Sequence, residues 1–157
     1  MQTRVAYVAV AAFLIGCGSK SMERNAPPVN TSSEVGEFFS RYEAAIKAHR
    51  REQLAGFYRP DRATVIINGA RMSMTNAGID SFYRGQWQGP VFFAFDSLRF
   101  EPLNATQWLA TGGFRWLPPE SGDTGHYIYL SILDRTSSGL KIRTEHETAR
   151  PSLQPGR

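Results

Sequence analysis

The chain has 157 residues, 41% of them hydrophobic, with 18 basic side chains against 14 acidic ones and a formal charge of +4. That length suits one domain able to bury a core without cross-links. The single cysteine, Cys17, excludes an internal disulfide and a cysteine-based metal site. The arginines are scattered rather than gathered into a basic block interleaved with aromatics, which speaks against nucleic acid as a partner.

Arg4 precedes an uncharged apolar run, 5–16, that closes on Leu14-Ile15-Gly16-Cys17. The run is too short for a spanning helix, which needs roughly 20 residues, but it suits the apolar region of an export signal. An ordinary signal, or a buried strand with an incidental thiol, would share that run. The closing four residues resemble the lipobox of bacterial lipoprotein signals. The resemblance implies a leader at 1–16, cleavage before Cys17 and a lipid on its sulfur. It also implies membrane attachment in the bacterial cell envelope, on its periplasmic or extracellular side. Residues 17–32 are polar and contain prolines, so they read as a tether, with a coil reach of roughly 20 Å.

The domain proper is expected over 33–150. Thr31 and Glu34 have capping-box spacing, with Ser32 and Ser33 as alternative caps. Val35, Phe38, Phe39, Tyr42, Ala45, Ile46 and His49 then recur at helical spacing on one face. A short helix over 51–58 ends at Pro60. The β-branched run 63–67, the turn signal Asn68-Gly69 and the run 70–74 form a hairpin. Thr75 can cap a third helix with Ile79, Phe82 and Tyr83 inward. Four β-rich stretches follow, at 91–101, 106–117, 126–135 and 140–148, separated by Pro102-Leu103-Asn104, by 118–123 and by 136–139. Connections so short suit an antiparallel meander. Residues 151–157 read as a frayed tail.

This order of elements resembles the α+β cone of the nuclear-transport-factor-2-like (NTF2-like) superfamily, in its SnoaL-like or DUF4440-like branch. Three stretches carry the likeness: Phe57-Tyr58-Arg59-Pro60-Asp61-Arg62-Ala63-Thr64-Val65 leading into the first strand, Gly78-Ile79-Asp80-Ser81-Phe82-Tyr83, and Leu140-Lys141-Ile142-Arg143-Thr144-Glu145-His146-Glu147-Thr148. The resemblance implies three N-terminal helices packed on a strongly curved, mostly antiparallel sheet, with a pocket at the open end. The superfamily's ketosteroid isomerases place a general base shortly after the first-strand lead-in. This chain has Ile66 and Ile67 there instead.

Strand alternation assigns the candidate site. On the last strand Leu140 and Ile142 set the inward parity, so Thr144, His146 and Thr148 are expected inside and Arg143, Glu145 and Glu147 outside. His146 then reads either as an acid–base or ligand-facing group, or as a core histidine bonded to a neighbour. Tyr42, the polar-tipped aromatic of the first helix, reads either as a donor to a carbonyl oxygen or as a core residue needing one partner. Asp96 and Arg115 are candidates for the pocket face, with an exposed edge as the alternative for Asp96. Tyr129 is another polar strand residue, and Trp87 centres a loop that is either a lid or a packed turn. Gly112-Gly113 is a candidate bulge. Glu145-His146-Glu147 does not chelate a metal, because neighbours on a strand face opposite ways, and no cofactor motif is present.

The expected ligand is a small, largely apolar molecule contacting Tyr42, Trp87, Asp96, Arg115, Tyr129 and His146. An isomerase, cyclase or hydratase using His146 and Tyr42 is one alternative. A non-catalytic dimerisation or envelope-assembly module is the other. Apolar residues on both faces of the strand around Trp108 and Trp116 suggest a homodimer.

Overall fold

The computed structural model describes residues 31–150; the expected leader, Cys17, most of the expected tether and the expected tail fall outside the described residues. Its elements are α1 Thr31–Lys47, α2 Arg51–Leu54 continued by a 3-10 turn Ala55–Phe57, β1 Ala63–Ile67, β2 Ala70–Met74 and α3 Asn76–Gly85, then β3 Phe92–Asn104, β4 Gln107–Leu117, β5 Gly125–Thr136 and β6 Gly139–Ala149. The strands form one sheet in the order β2-β1-β6-β5-β4-β3. β1 runs parallel to β6, and the other neighbours are antiparallel. The architecture is α+β, with the helices on the concave side of a mostly antiparallel sheet.

Local sequence explains most boundaries. Asn68 and Gly69 adopt φ of 49° and 85°, the left-handed pair that a tight hairpin turn needs. The Thr75 hydroxyl caps α3 by accepting from Gly78 N at 3.2 Å. Glu34 reaches across to the sheet. Its carboxylate accepts from Arg135 on β5 at 3.0 and 2.5 Å, and that guanidinium lies 5.0 Å over the Trp108 ring. Pro102-Leu103-Asn104 belongs to β3 rather than to a turn. β3 is an edge strand, where a missing N–H costs no ladder bond, and its register slips between Pro102 and Asn104.

The stripe on α1 is buried as its spacing predicts, from Val35 through Ile46. Phe39 anchors it, edge-on to Phe95 at 5.5 Å and stacked on Phe100 at 5.5 Å. His49 leaves the stripe, takes a left-handed φ of 52° beyond the helix end and is exposed.

Two bulges govern which side chains meet α1. On β3, Asp96 opposes Gly113 but Arg99 opposes Thr111, so one residue is extra, and Ser97 takes a φ of 52°. The inward set therefore passes from Phe93 and Phe95 to Leu98 and Phe100. Gly112 faces this bulge, and a Cβ there would stand 3.0 Å from both Asp96 O and Leu98 Cδ2. β4 itself pairs with β5 without interruption through Gly112 and Gly113, so the bulge lies on the neighbouring strand. On β6, Ile142 opposes Leu133 while Thr144 opposes Ile132, leaving Arg143 extra. The inward set passes from Leu140 and Ile142 to Glu145 and Glu147.

Candidate functional site

The concave side of the sheet holds a cavity of about 250 Å³. Its walls are aromatic and aliphatic: Phe93, Phe95, Phe114 and Trp116 from β3 and β4, Met72 and Met74 from β2, and Ile79, Phe82 and Tyr83 from α3. Trp87 completes one side, edge-on to Tyr83 at 5.4 Å and to Trp116 at 6.2 Å. Its loop is a packed turn. His49 Nε2 bonds Pro90 O at 2.7 Å, and the loop's Gly89 takes a φ of 72° within close reach of both the His49 and Trp87 rings.

Polar groups enter from β6, α1, α3 and Tyr58. Glu145 is 2% exposed and accepts from Tyr58 at 2.5 Å, from Tyr129 at 2.8 Å and from Tyr42 at 3.3 Å. Tyr58 is the hub of this cluster. Its oxygen lies 2.7 Å from the Tyr42 hydroxyl and 2.9 Å from that of Tyr83, so while donating to Glu145 it can accept from Tyr83, and the one Tyr42 proton is divided between Tyr58 and Glu145. Burial, followed by the Glu145 charge, holds the phenols of Tyr42, Tyr58 and Tyr129 well above their usual range, and that of Tyr83 above it too, so all four stay protonated as donors.

Glu147 is two residues further along the same strand face and lines the cavity. Among the described residues its carboxyl has no hydrogen-bonding side-chain partner, whereas Glu145 has three. Burial raises the pKa of Glu145 while its tyrosine donors pull it back. Burial, and then the charge of Glu145, push Glu147 well above the ordinary carboxylate range. The two titrate as a pair. The tyrosine-bonded member ionises first, and its charge keeps the proton on the other. The lining contains no Lys, Arg or His.

Tyr42 and Trp87, both expected at the site, line the cavity. Four other expected residues do not. His146 is on the outer face, between Leu130 and Ile66, with its Nε2 bonded to Thr148 Oγ1 at 3.0 Å. The extra Arg143 reverses the parity that Leu140 and Ile142 set, which removes the inward reading of His146. Asp96 and Arg115 also face outward, because Asp96 precedes the β3 bulge and shares its face with Phe92 rather than Phe93. They form an ion pair at 3.1 Å, each 41% exposed, with the guanidinium 5.2 Å over the Phe92 ring. Tyr129 faces inward but is 1% exposed and sits behind the cavity as a donor to Glu145.

Glu145 and Glu147, with Tyr58 and Tyr83 beside them, were not among the expected site residues. The sequence does carry a faint signal. Beyond Ile142, β6 has no apolar residue in alternation to fix its parity, so the inference from Leu140 and Ile142 had no support further along.

No protein-family model and no curated protein matches the chain. Solved structures do. An NTF2-like protein from Shewanella oneidensis superposes with a TM-score of 0.65 at 11% identity, covering 75% of this chain and 98% of the other. The fold is that of the NTF2-like proteins. A second NTF2-like protein, with a cystatin-like fold, from Novosphingobium aromaticivorans has a TM-score of 0.61 at 13% identity, covering 80% and 83%. A hexachlorocyclohexane dehydrochlorinase from Novosphingobium barchaimii gives 0.61 at 14% identity, covering 77% and 87%. NTF2-like neighbours thus include an enzyme, and identities this low establish the shared fold alone.

Proposed function

We propose that this chain is a lipid-anchored NTF2-like domain of the bacterial cell envelope that binds a small, largely apolar molecule in its cone cavity. The observation that carries the reading is the cavity itself. About 250 Å³ is walled by aromatic and aliphatic side chains and supplied with a few convergent polar groups. An apolar engineered cavity of about 150 Å³ takes up benzene, so this one has room for a somewhat larger body. Tyr42, Tyr83 and Glu147 are the polar handles, and Trp87 contributes a flat wall.

The test is to purify the full chain and a Met72→Trp variant that fills the cavity from its β2 side, then compare the small molecules each carries by mass spectrometry. A compound retained by the wild type and lost from the variant supports the reading. Identical contents in both proteins overturn it. The anchor rests on the lipobox-like Leu14-Ile15-Gly16-Cys17. Cys17→Ala should abolish partitioning into the detergent phase, and unchanged partitioning would refute it.

The carboxyl pair favours a second reading, an enzyme that moves a proton. Two acids whose surroundings push their titrations apart are the arrangement that acid–base chemistry uses. On this reading Glu147, not His146, exchanges the proton, with Tyr42 or Tyr83 donating to an oxygen. Solvent deuterium entering a retained compound with the wild type, but not with Glu147→Gln, would support it.

A further inference from the structure

We infer that the cavity is built for an organic monocation, an ammonium group carried on an aromatic or aliphatic body, and that Glu147 gives up its proton when the cation binds. The inference rests on the cavity-binding reading above and specifies the charge of the guest.

Charge complementarity selects among three ligand classes. The titratable groups facing Glu147 are Glu145 on its own strand, Tyr42 from α1, Tyr58 beyond the 3-10 turn, Tyr83 from α3, and Tyr127 and Tyr129 from β5. β1 and β2 contribute only Val65, Ile67, Met72 and Met74 to this face, and Asn68 sits at their turn. Among the described residues every ionisable group here is therefore an acid, and no cationic side chain lines the space. An anionic guest would meet the Glu145 charge with nothing to offset its own desolvation. A neutral guest fits the walls but brings no positive charge to set against Glu145 and no cation for the Glu147 carboxyl to bond.

A cation satisfies both. Trp87, Trp116, Tyr83 and Phe114 line the space, and the electron-rich faces of such rings attract ammonium groups most strongly when water is excluded. The ammonium hydrogens then bond to Glu147, the carboxyl that lacks a protein partner. The proton balance is simple. Burial and the Glu145 charge keep the proton on free Glu147 to higher pH than on an ordinary carboxylate; the bound guest arrives as its ammonium, and ionisation of Glu147 releases that proton to solvent. Linkage fixes the pH dependence: affinity rises with pH through the raised Glu147 range and falls again where the amine loses its own proton.

Three probes of nearly the same shape separate the outcomes: 2-phenylethylammonium, 2-phenylethanol and phenylacetate. They are titrated calorimetrically into the full chain at neutral pH, in two buffers of different ionisation enthalpy. The expected result is that the ammonium binds about tenfold more tightly than the alcohol, the carboxylate does not bind, and the buffer dependence reports one proton released. Glu147→Gln should erase both the preference and the proton release. Equal affinities for ammonium and alcohol, or binding without proton release, overturn the cationic assignment and leave the cavity reading standing. Absence of binding by all three at millimolar concentration overturns both.

Discussion

Tyr58→Phe is the sharpest probe of the tyrosine–carboxylate cluster, because it removes one oxygen and no apolar packing. The Tyr58 side chain is 2% exposed, and its oxygen makes three contacts: 2.7 Å to Tyr42, 2.9 Å to Tyr83 and 2.5 Å to Glu145. The first two are not wholly lost in the variant. Tyr42 keeps its 3.3 Å contact with Glu145, and Tyr83 keeps a 3.4 Å contact with Tyr42. The bond to Glu145 has no substitute. A hydrogen bond to a charged group contributes about 1.5–3 kcal/mol, and two weakened neutral bonds add a fraction of about 1 kcal/mol each. The expected cost is about 2–4 kcal/mol, or a fall in melting temperature of roughly 10 °C for a domain of this size. Tyr83→Phe removes a single neutral donor and should cost about 0.5–1.5 kcal/mol. Urea unfolding followed by circular dichroism measures both. The Tyr58→Phe deficit should also shrink on acidification. As pH falls through the raised Glu145 range, the wild type protonates its carboxylate and loses the charge-assisted part of the bond. A Tyr58→Phe cost no larger than that of Tyr83→Phe, or one independent of pH, would refute the hub role.

Three further outcomes are expected. Glu147→Gln should stabilise the free protein near neutrality. A carboxyl whose folded pKa is raised makes the native state bind more protons than the unfolded chain, so stability falls as pH climbs from the ordinary carboxylate range to the raised one; a flatter pH–stability curve for the variant, by urea melts across that window, checks the sign. Gly112→Ala should destabilise by about 1–3 kcal/mol, since its Cβ would press on the β3 backbone at Asp96 and Leu98; thermal melts measure it. His146→Ala and Asp96→Ala should each cost about 1 kcal/mol or less and leave 2-phenylethylammonium affinity unchanged, because both side chains are on the far side of the sheet from the cavity.

How much was legible in the sequence depended on whether local pattern decided the outcome. The α1 stripe, the Asn68-Gly69 turn, the Thr75 cap and the meander are local features, and they emerged at nearly the expected residues. So did the faces of β4, where Trp108, Ala110, Phe114 and Trp116 alternate without a break. The faces of β3 and β6 did not, because each gains a residue in mid-strand. On β3 the clue was blurred because both faces of the strand ahead of the bulge are apolar, from Phe92 to Phe95. On β6 the clue was absent, because everything from Arg143 to Thr148 is polar. Tyr42 was legible as a polar tip on an apolar face. Its partners Tyr58 and Tyr83 looked like ordinary core residues, since nothing local announces that three hydroxyls from separate elements meet one another beside a buried carboxylate.

The position of the β6 bulge ties the fold to the chemistry. β6 is flanked by β1 and β5, so its register cannot drift freely, and Ile142 is fully buried just before the extra residue. At that same residue the chain leading into β1 joins the sheet. Tyr58 bridges to Ile142 in parallel, and Arg59 N donates to Ile142 O at 3.0 Å. The junction brings the Tyr58 hydroxyl over the strand where Glu145 turns inward. Were the same residues paired without a bulge, unbroken alternation from Ile142 would turn His146 to the cavity and both glutamates away from it. The bulge in this central strand thus decides whether the interior is lined by an imidazole or by a pair of acids.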